Sequence, residues 1–179
     1  MKRIIKTFSL CIAIVFISCG EHTQVSVKEL KRVGGISYFE EIPFTGAAIS
    51  KYSDGSKQKY VEFVSGKNHG EITAWYPDGK KKETGRAKEG KKIGVHQGFW
   101  PDGSHRYKKI YSSNGLMHGQ QKQWHMNGTL ARLSNYNLGR EDGLQKGWRE
   151  NGELRYNYQI VDNKRYGFMG AKVCVLPSI

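Results

Sequence analysis

Six histidines, a periodic set of aspartates and three cysteines are the residues of this chain most suited to chemistry. Histidines and carboxylates bind metals or move protons when the fold gathers them within a few ångströms. Asp54, Asp78 and Asp102 recur every 24 residues, as a calcium ladder would. Asn127 and Asn151 stand at the corresponding later positions. Turns accept Asp and Asn alike, whereas catalysis and strong calcium binding need the charge, so the set reads as turn formers. His69 and His118 share one place in the pattern, each just before a glycine. They are two units apart, roughly four strands at about 4.8 Å each, which is too wide for one metal ion. His96, His105 and His125 follow no ligand spacing and read as exposed polar strand residues, and His22 lies ahead of the patterned region. No nucleophile elbow, Walker loop, metalloprotease motif or Cys-x-x-Cys occurs in the sequence. The reading is a protein with no catalytic site, no metal and no cofactor.

The pattern that places these residues is a repeat. Gly55, Gly79, Gly103, Gly128 and Gly152 each follow Asp or Asn, at steps of 24, 24, 25 and 24. A second series, Gly46, Gly70, Gly94, Gly119, Gly143 and Gly167, keeps the same clock. A third runs Gly66, Gly90, Gly115, Gly139 and then Asn163, and Asn is the usual substitute where glycine supplies a left-handed backbone. The one extra residue falls between Gly103 and Gly115, where a loop can absorb it. A fixed period of this size means stacked copies of one small unit.

Each unit reads as two antiparallel strands. Asx-Gly is a strong hairpin signal. The recurrent Gly-x-x-x-Gly, as in Gly90-Lys91-Lys92-Ile93-Gly94, has a polar interior and reads as the return turn. Large aromatics precede each Asx-Gly step: Trp75, Phe99, Trp124 and Trp148, with Trp100 beside Phe99. They are expected to stack along one face, chiefly as packing for a thin sheet and alternatively as a platform for sugar or lipid. The fold class is therefore all-β: one elongated, twisted antiparallel sheet of tandem hairpins of about 24 residues.

Tyr-x-Asp/Asn-Gly followed by Gly-x-x-x-Gly-x4-Trp resembles the MORN repeat, in the bacterial variant of YwqK-type antitoxins. Pro43-Phe44-Thr45-Gly46 is similar to the opening of such arrays, and the resemblance covers about residues 38–170. It implies a row of β-hairpins and a scaffold or lipid-binding role, with an antitoxin role as the label of a broad group. No toxin-facing residue carries over. Lys172 stands where the last unit would have Trp, which suits a terminal cap.

The ends have other roles. Lys2, Arg3 and Lys6 precede a mostly apolar stretch from Thr7 to Ser18, too short to span a bilayer and suited to a signal peptide. Phe16-Ile17-Ser18-Cys19 resembles a lipobox, which makes Cys19 the lipidated first residue of the mature chain. The expected divisions are residues 1–18 signal peptide, 19–37 tether with an edge strand near Val25 and Val27, 38–170 repeat array, and 171–179 C-terminal cap. Cys11 leaves with the signal and Cys174 reads as buried in an apolar strand, so no internal disulfide is available. The formal charge is +13, with dense runs at Lys80-Lys81-Lys82 and Lys91-Lys92. Such charge suits an anionic surface or an acidic partner, and export disfavours nucleic acid.

These features give the expected function: a lipoprotein of the bacterial cell envelope that acts as a non-catalytic interaction module. Its expected partner is an envelope protein, with the membrane engaged through the lipid. The alternatives are an antitoxin or immunity protein for one toxin, and a module for envelope glycan or anionic lipid.

Overall fold

The computed structural model describes residues 24–169 and 172–173. Cys19, the signal segment, Cys174 and the C-terminal tail lie outside the described residues. β1 (Gln24–Ser26) leads into a 3-10 turn at Val27–Glu29, capped by Ser26, whose N–H donates to Glu29 at 2.7 Å. β2 (Lys31–Val33), β3 (Ile36–Phe39) and β4 (Ile42–Pro43) make a small antiparallel sheet. The repeats then supply β5 (Gly46–Lys51), β6 (Lys57–Val64), β7 (Lys67–Trp75), β8 (Lys81–Lys88), β9 (Lys91–Phe99) and β10 (His105–Tyr111). They continue with β11 (Gly119–Trp124), β12 (Leu130–Asn137), β13 (Arg140–Trp148), β14 (Leu154–Val161), β15 (Lys164–Met169) and β16 (Lys172–Val173).

From β5 onward every strand pairs antiparallel with its chain neighbour, in one open 13-stranded sheet that begins at β1. The architecture is the expected row of hairpins, with two additions. β1 runs parallel to β5, pairing Val25 with Ala48, so the sheet is mixed at that edge. The three-stranded sheet packs at the same end. There Val25, Phe44 and Ala48 are buried against Leu30, Phe39 and Phe63, and Phe44 meets Phe39 and Phe63 at centroid distances of 6.1 and 5.8 Å. Pro43 and Phe44 thus help close the first repeat, a role that a terminal unit of any stacked array needs.

Two kinds of turn alternate. At each Asx-Gly step the glycine N–H closes a four-residue turn, as Gly55 to Tyr52 O at 3.0 Å and Gly103 to Trp100 O at 2.9 Å. Gly55, Gly79, Gly103, Gly128 and Gly152 all lie at φ between +82° and +92°. The preceding Asx has negative φ, so these are three-residue loops with a left-handed last member, not two-residue Asn-Gly turns. The Asx side chain accepts the backbone N–H two residues on, identically for Asp and Asn: 2.9 Å at Ser56, 3.1 Å at Lys80, 2.9 Å at Ser104, and 3.0 Å at both Thr129 and Glu153.

The other end of each unit corrects the reading of Gly-x-x-x-Gly as one turn. The two-residue turn lies just ahead of it, at Ser65-Gly66, Glu89-Gly90, Leu138-Gly139 and Asp162-Asn163, with both residues at positive φ. The second glycine lies inside the next strand, at a bulge. Across β8 and β9, Thr84 pairs with Gln97 and Arg86 with Ile93, so β9 carries two extra residues around Gly94 (φ +66°). β7 and β13 bulge likewise around Gly70 and Gly143. The extra residue of the third repeat enlarges the turn at Ser112–Gly115 to the three-residue kind, closed by Gly115 N–H to Ser112 O at 3.0 Å.

A single sheet has no second layer, so one face must be covered by its own side chains. Three strand glycines make this work. A Cβ at Gly85 would overlap the His96 ring, one at Gly98 the Tyr107 ring, and one at Gly147 the Tyr156 ring. Each ring lies flat on a neighbouring strand where no side chain stands.

The bulges free backbone groups, and in three repeats one position plugs them: His96, Gln121 and Gln145, with 1%, 4% and 0% exposure. In β7 that position is Ile72, and Glu62 accepts the Glu71 N–H at 2.6 Å instead. His96 Nε2 bonds Arg86 O at 2.8 Å, and Gln145 Nε2 bonds Asn135 O at 2.7 Å. Gln121 does most: its Oε1 accepts from Ile110 N–H at 2.8 Å, and its Nε2 donates to Ile110 O and His118 O, each at 3.0 Å. The expectation of an exposed His96 is therefore corrected. His96 is the plug of its repeat, buried because the bulge needs a polar partner.

Two predictions follow from this covering. Gly98→Ala forces the Tyr107 ring off the sheet and costs about 1–3 kcal/mol in urea unfolding. Burial holds the His96 pKa below its ordinary value, although the bond to Arg86 O and nearby Glu83 oppose that and Lys92 adds to it; the Tyr111 ring packs at 5.1 Å from the other side. The unfolded state thus takes up the proton first. The contribution of neutral His96 is present above about pH 6.5 and is lost as pH falls below it. His96→Gln, the residue at the equivalent positions 121 and 145, keeps stability at neutral pH and flattens its decline toward pH 5. An unchanged pH slope in urea titrations would refute the assignment.

Candidate binding face

The predicted aromatics fall at strand ends. Trp75, Phe99, Trp124 and Trp148 are all half-buried. They do not form one continuous ladder. His105 lies between Phe99 and Trp124, at centroid distances of 5.2 and 5.6 Å, and among the described residues no ring pair joins Trp75 to Phe99 or Trp124 to Trp148. Their backbone carbonyls carry a second role. Tyr52 Oη donates to Trp75 O at 2.8 Å, Tyr76 Oη donates to Phe99 O at 2.9 Å, and His125 Nε2 bonds Trp148 O at 3.0 Å. In three of the five Asx-Gly turns the side chain that opens the turn thus ties its repeat to the next. Trp100 holds that place in the repeat of 25 residues, and its Nε1 is buried without a partner among the described residues.

A recurrent bulge, occupied by a cation in three repeats of five, escaped the sequence reading. Three residues after each Asx-Gly glycine the strand carries a one-residue bulge. Its extra residues are Gln58, Lys82, Arg106, Ala131 and Arg155, each skipped by the pairing. A bulge re-aims its side chain toward the face of its neighbour. Lys82 Nζ accordingly lies 5.5 Å from the Tyr76 ring centroid. The Arg106 guanidinium lies 5.7 Å from the Trp100 ring and 5.2 Å from the Tyr107 ring. The signal was the fixed offset of three residues from glycine, which strand alternation alone does not single out.

The middle of the array concentrates this arrangement. Lys109 Nζ also lies 5.2 Å from the Tyr107 ring centroid. Burial lowers the Lys109 pKa, and Lys92, Arg132 and Arg106 add to that by repulsion, against one opposing carboxylate, Glu83. Burial, Glu83 and its hydrogen bond push the Tyr107 phenol well above its ordinary value, so it stays a neutral donor. Lys92 is paired with Glu83 at 3.7 Å and Arg132 with Glu141 at 3.1 Å. Arg106 and Lys109 have no carboxylate within 4.0 Å among the described residues.

Two adjoining concavities share Lys109 and Gln123. The larger, about 610 Å³, is walled by Trp100, Arg106, Tyr107, Trp124 and His125, with the exposed carboxylate of Glu150 at its rim, 3.8 Å from His125 Nδ1. The smaller, about 140 Å³, is walled by Arg132, Ser134 and Tyr136 with Gln121. Such a trough suits a ligand with flat apolar faces and negative charge. Among the described residues no group of three or more His, Cys, Asp or Glu side chains could hold a metal ion, and no helix is long and apolar enough to cross a membrane.

No family model matches this chain, and no curated protein matches it. Among solved structures the chain is similar to a mutant of S. aureus TarM in complex with fondaparinux, alpha-GlcNAc-glycerol and UDP, at 16% identity and a TM-score of 0.33. The match covers 64% of this chain and 21% of that one, and at this score the likeness carries no argument.

Proposed function

We propose that this chain is a lipid-anchored protein of the bacterial envelope that binds, without catalysis, through one face of a MORN-type repeat array. The observation that supports binding is the recurrence of an aromatic ring with a cation over it in successive repeats, at Tyr76 with Lys82 and Trp100 with Arg106. A single catalytic centre has no use for a site copied along a sheet, whereas an extended partner gains contact with every copy. The anchor rests on the sequence, on the basic start, the short apolar core and Ser18-Cys19.

Cys19→Ala is expected to move the protein out of the membrane fraction and to abolish labelling by a fatty-acid probe. A variant that stays membrane-bound and unlabelled would refute the anchor. In-cell crosslinking of the wild-type chain tests binding. A product lost on Trp124→Ala supports the face described above. Capture of one protein in fixed ratio, together with toxicity on deletion of this chain, would instead favour the antitoxin reading.

A further inference from the structure

We infer that the trough around Tyr107 binds a linear anionic polysaccharide, laid across the strands along the array. This rests on the binding-module reading and names its ligand class. Three observations converge on it. The trough sets the Trp124 ring and the edges of Trp100 and Tyr107, whose faces carry Arg106 and Lys109, beside those two cations, which lack carboxylate partners; its one carboxylate, Glu150, is at the rim beside His125. Sugar rings present flat faces of C–H groups that pack on aromatic rings, and an acidic substituent meets the cations by charge-assisted hydrogen bonds.

The spacing is the second observation. Equivalent positions in successive repeats are two strands apart, or about 10 Å. That is close to the length of one disaccharide, so a polymer with one acid per disaccharide meets Lys82 and Arg106 in register. The third is size. The compartment of about 140 Å³ between Lys109 and Arg132 has room for a carboxylate or sulfate, and the adjoining one of about 610 Å³ has room for the sugars that carry it. A single-stranded nucleic acid also combines stacking with negative charge, but its phosphates recur at every nucleotide, closer together than the repeat.

The test uses the full chain, purified in detergent, with an octasaccharide of hyaluronan as the probe, which bears a carboxylate on alternate sugars. A neutral chitin oligosaccharide of equal length and a single-stranded oligothymidylate serve as comparisons. The hyaluronan octasaccharide is expected to bind more tightly than either, to weaken with salt, and to exceed a disaccharide of the same composition through contact with several repeats. Arg106→Gln with Lys109→Gln is expected to weaken it about tenfold at unchanged thermal stability. Lys82→Gln, on an exposed bulge one repeat away, is expected to weaken the octasaccharide and leave the disaccharide unchanged, which serves if the double variant misfolds. Equal binding by these variants, tighter binding of oligothymidylate, or binding of no glycan would overturn the inference. In the last case, a crosslinked protein partner still lost on Trp124→Ala would leave the binding-module reading standing.

Discussion

The freed backbone groups at the strand bulges govern this sheet. At each Gly-x-x-x-Gly the later strand carries residues that its neighbour cannot pair, and the sheet has no second layer to shield them. A buried N–H or C=O without a partner costs as much as a lost hydrogen bond or more. His96, Gln121 and Gln145 resolve this in three repeats by folding a polar side chain into the gap, and at the β7 bulge Glu62 accepts a freed N–H from the neighbouring strand. Everything else on that face fits around those plugs. The rings of Tyr107 and Tyr156 spread over Gly98 and Gly147, and among the described residues the buried apolar cluster sits at the Val25–Phe44 end of the sheet.

The period, the hairpin row and the open all-β sheet could be read from glycine spacing because glycine is favoured where φ is positive, although Ser65, Glu89 and Leu138 adopt it too. The equivalence of Asp and Asn at the turns was also legible, since both accept the same backbone N–H. The bulges were not. A bulge leaves no composition signal of its own, so Gly94 looked like the end of a turn when it lies within β9. His96 looked exposed for a related reason. Without the bulge, nothing in the sequence says that a polar side chain has a backbone partner beneath the surface. The parallel pairing of β1 with β5 depends on a crossover through the small sheet, a long-range contact that local pattern does not encode.

The same bulge mechanism links architecture to the candidate site. A row of solvated lysines and arginines would ordinarily mean little, since exposed charges are screened and mobile. Here the extra residue of the bulge places a cation beside an aromatic of the turn in two successive repeats, Lys82 at Tyr76 and Arg106 at Trp100. Near Tyr107 the cations outnumber the carboxylates that could neutralise them, and burial makes that imbalance harder to relieve by solvent alone.

The enlarged turn at Ser112–Gly115 has an architectural consequence. β10 and β11 share only two register pairs, Tyr107 with Gln123 and Lys108 with Lys122, plus a lone bridge between Tyr111 and Met117. Their neighbours β11 and β12 share six. In a one-dimensional stack each interface couples only adjacent units, so the thinnest seam sets the length over which order propagates. Between β5 and β15 this seam has the fewest register pairs, and Gln121 fastens it through the N–H and C=O of Ile110. The trough around Tyr107 straddles this seam, so its walls come from units on both sides of it.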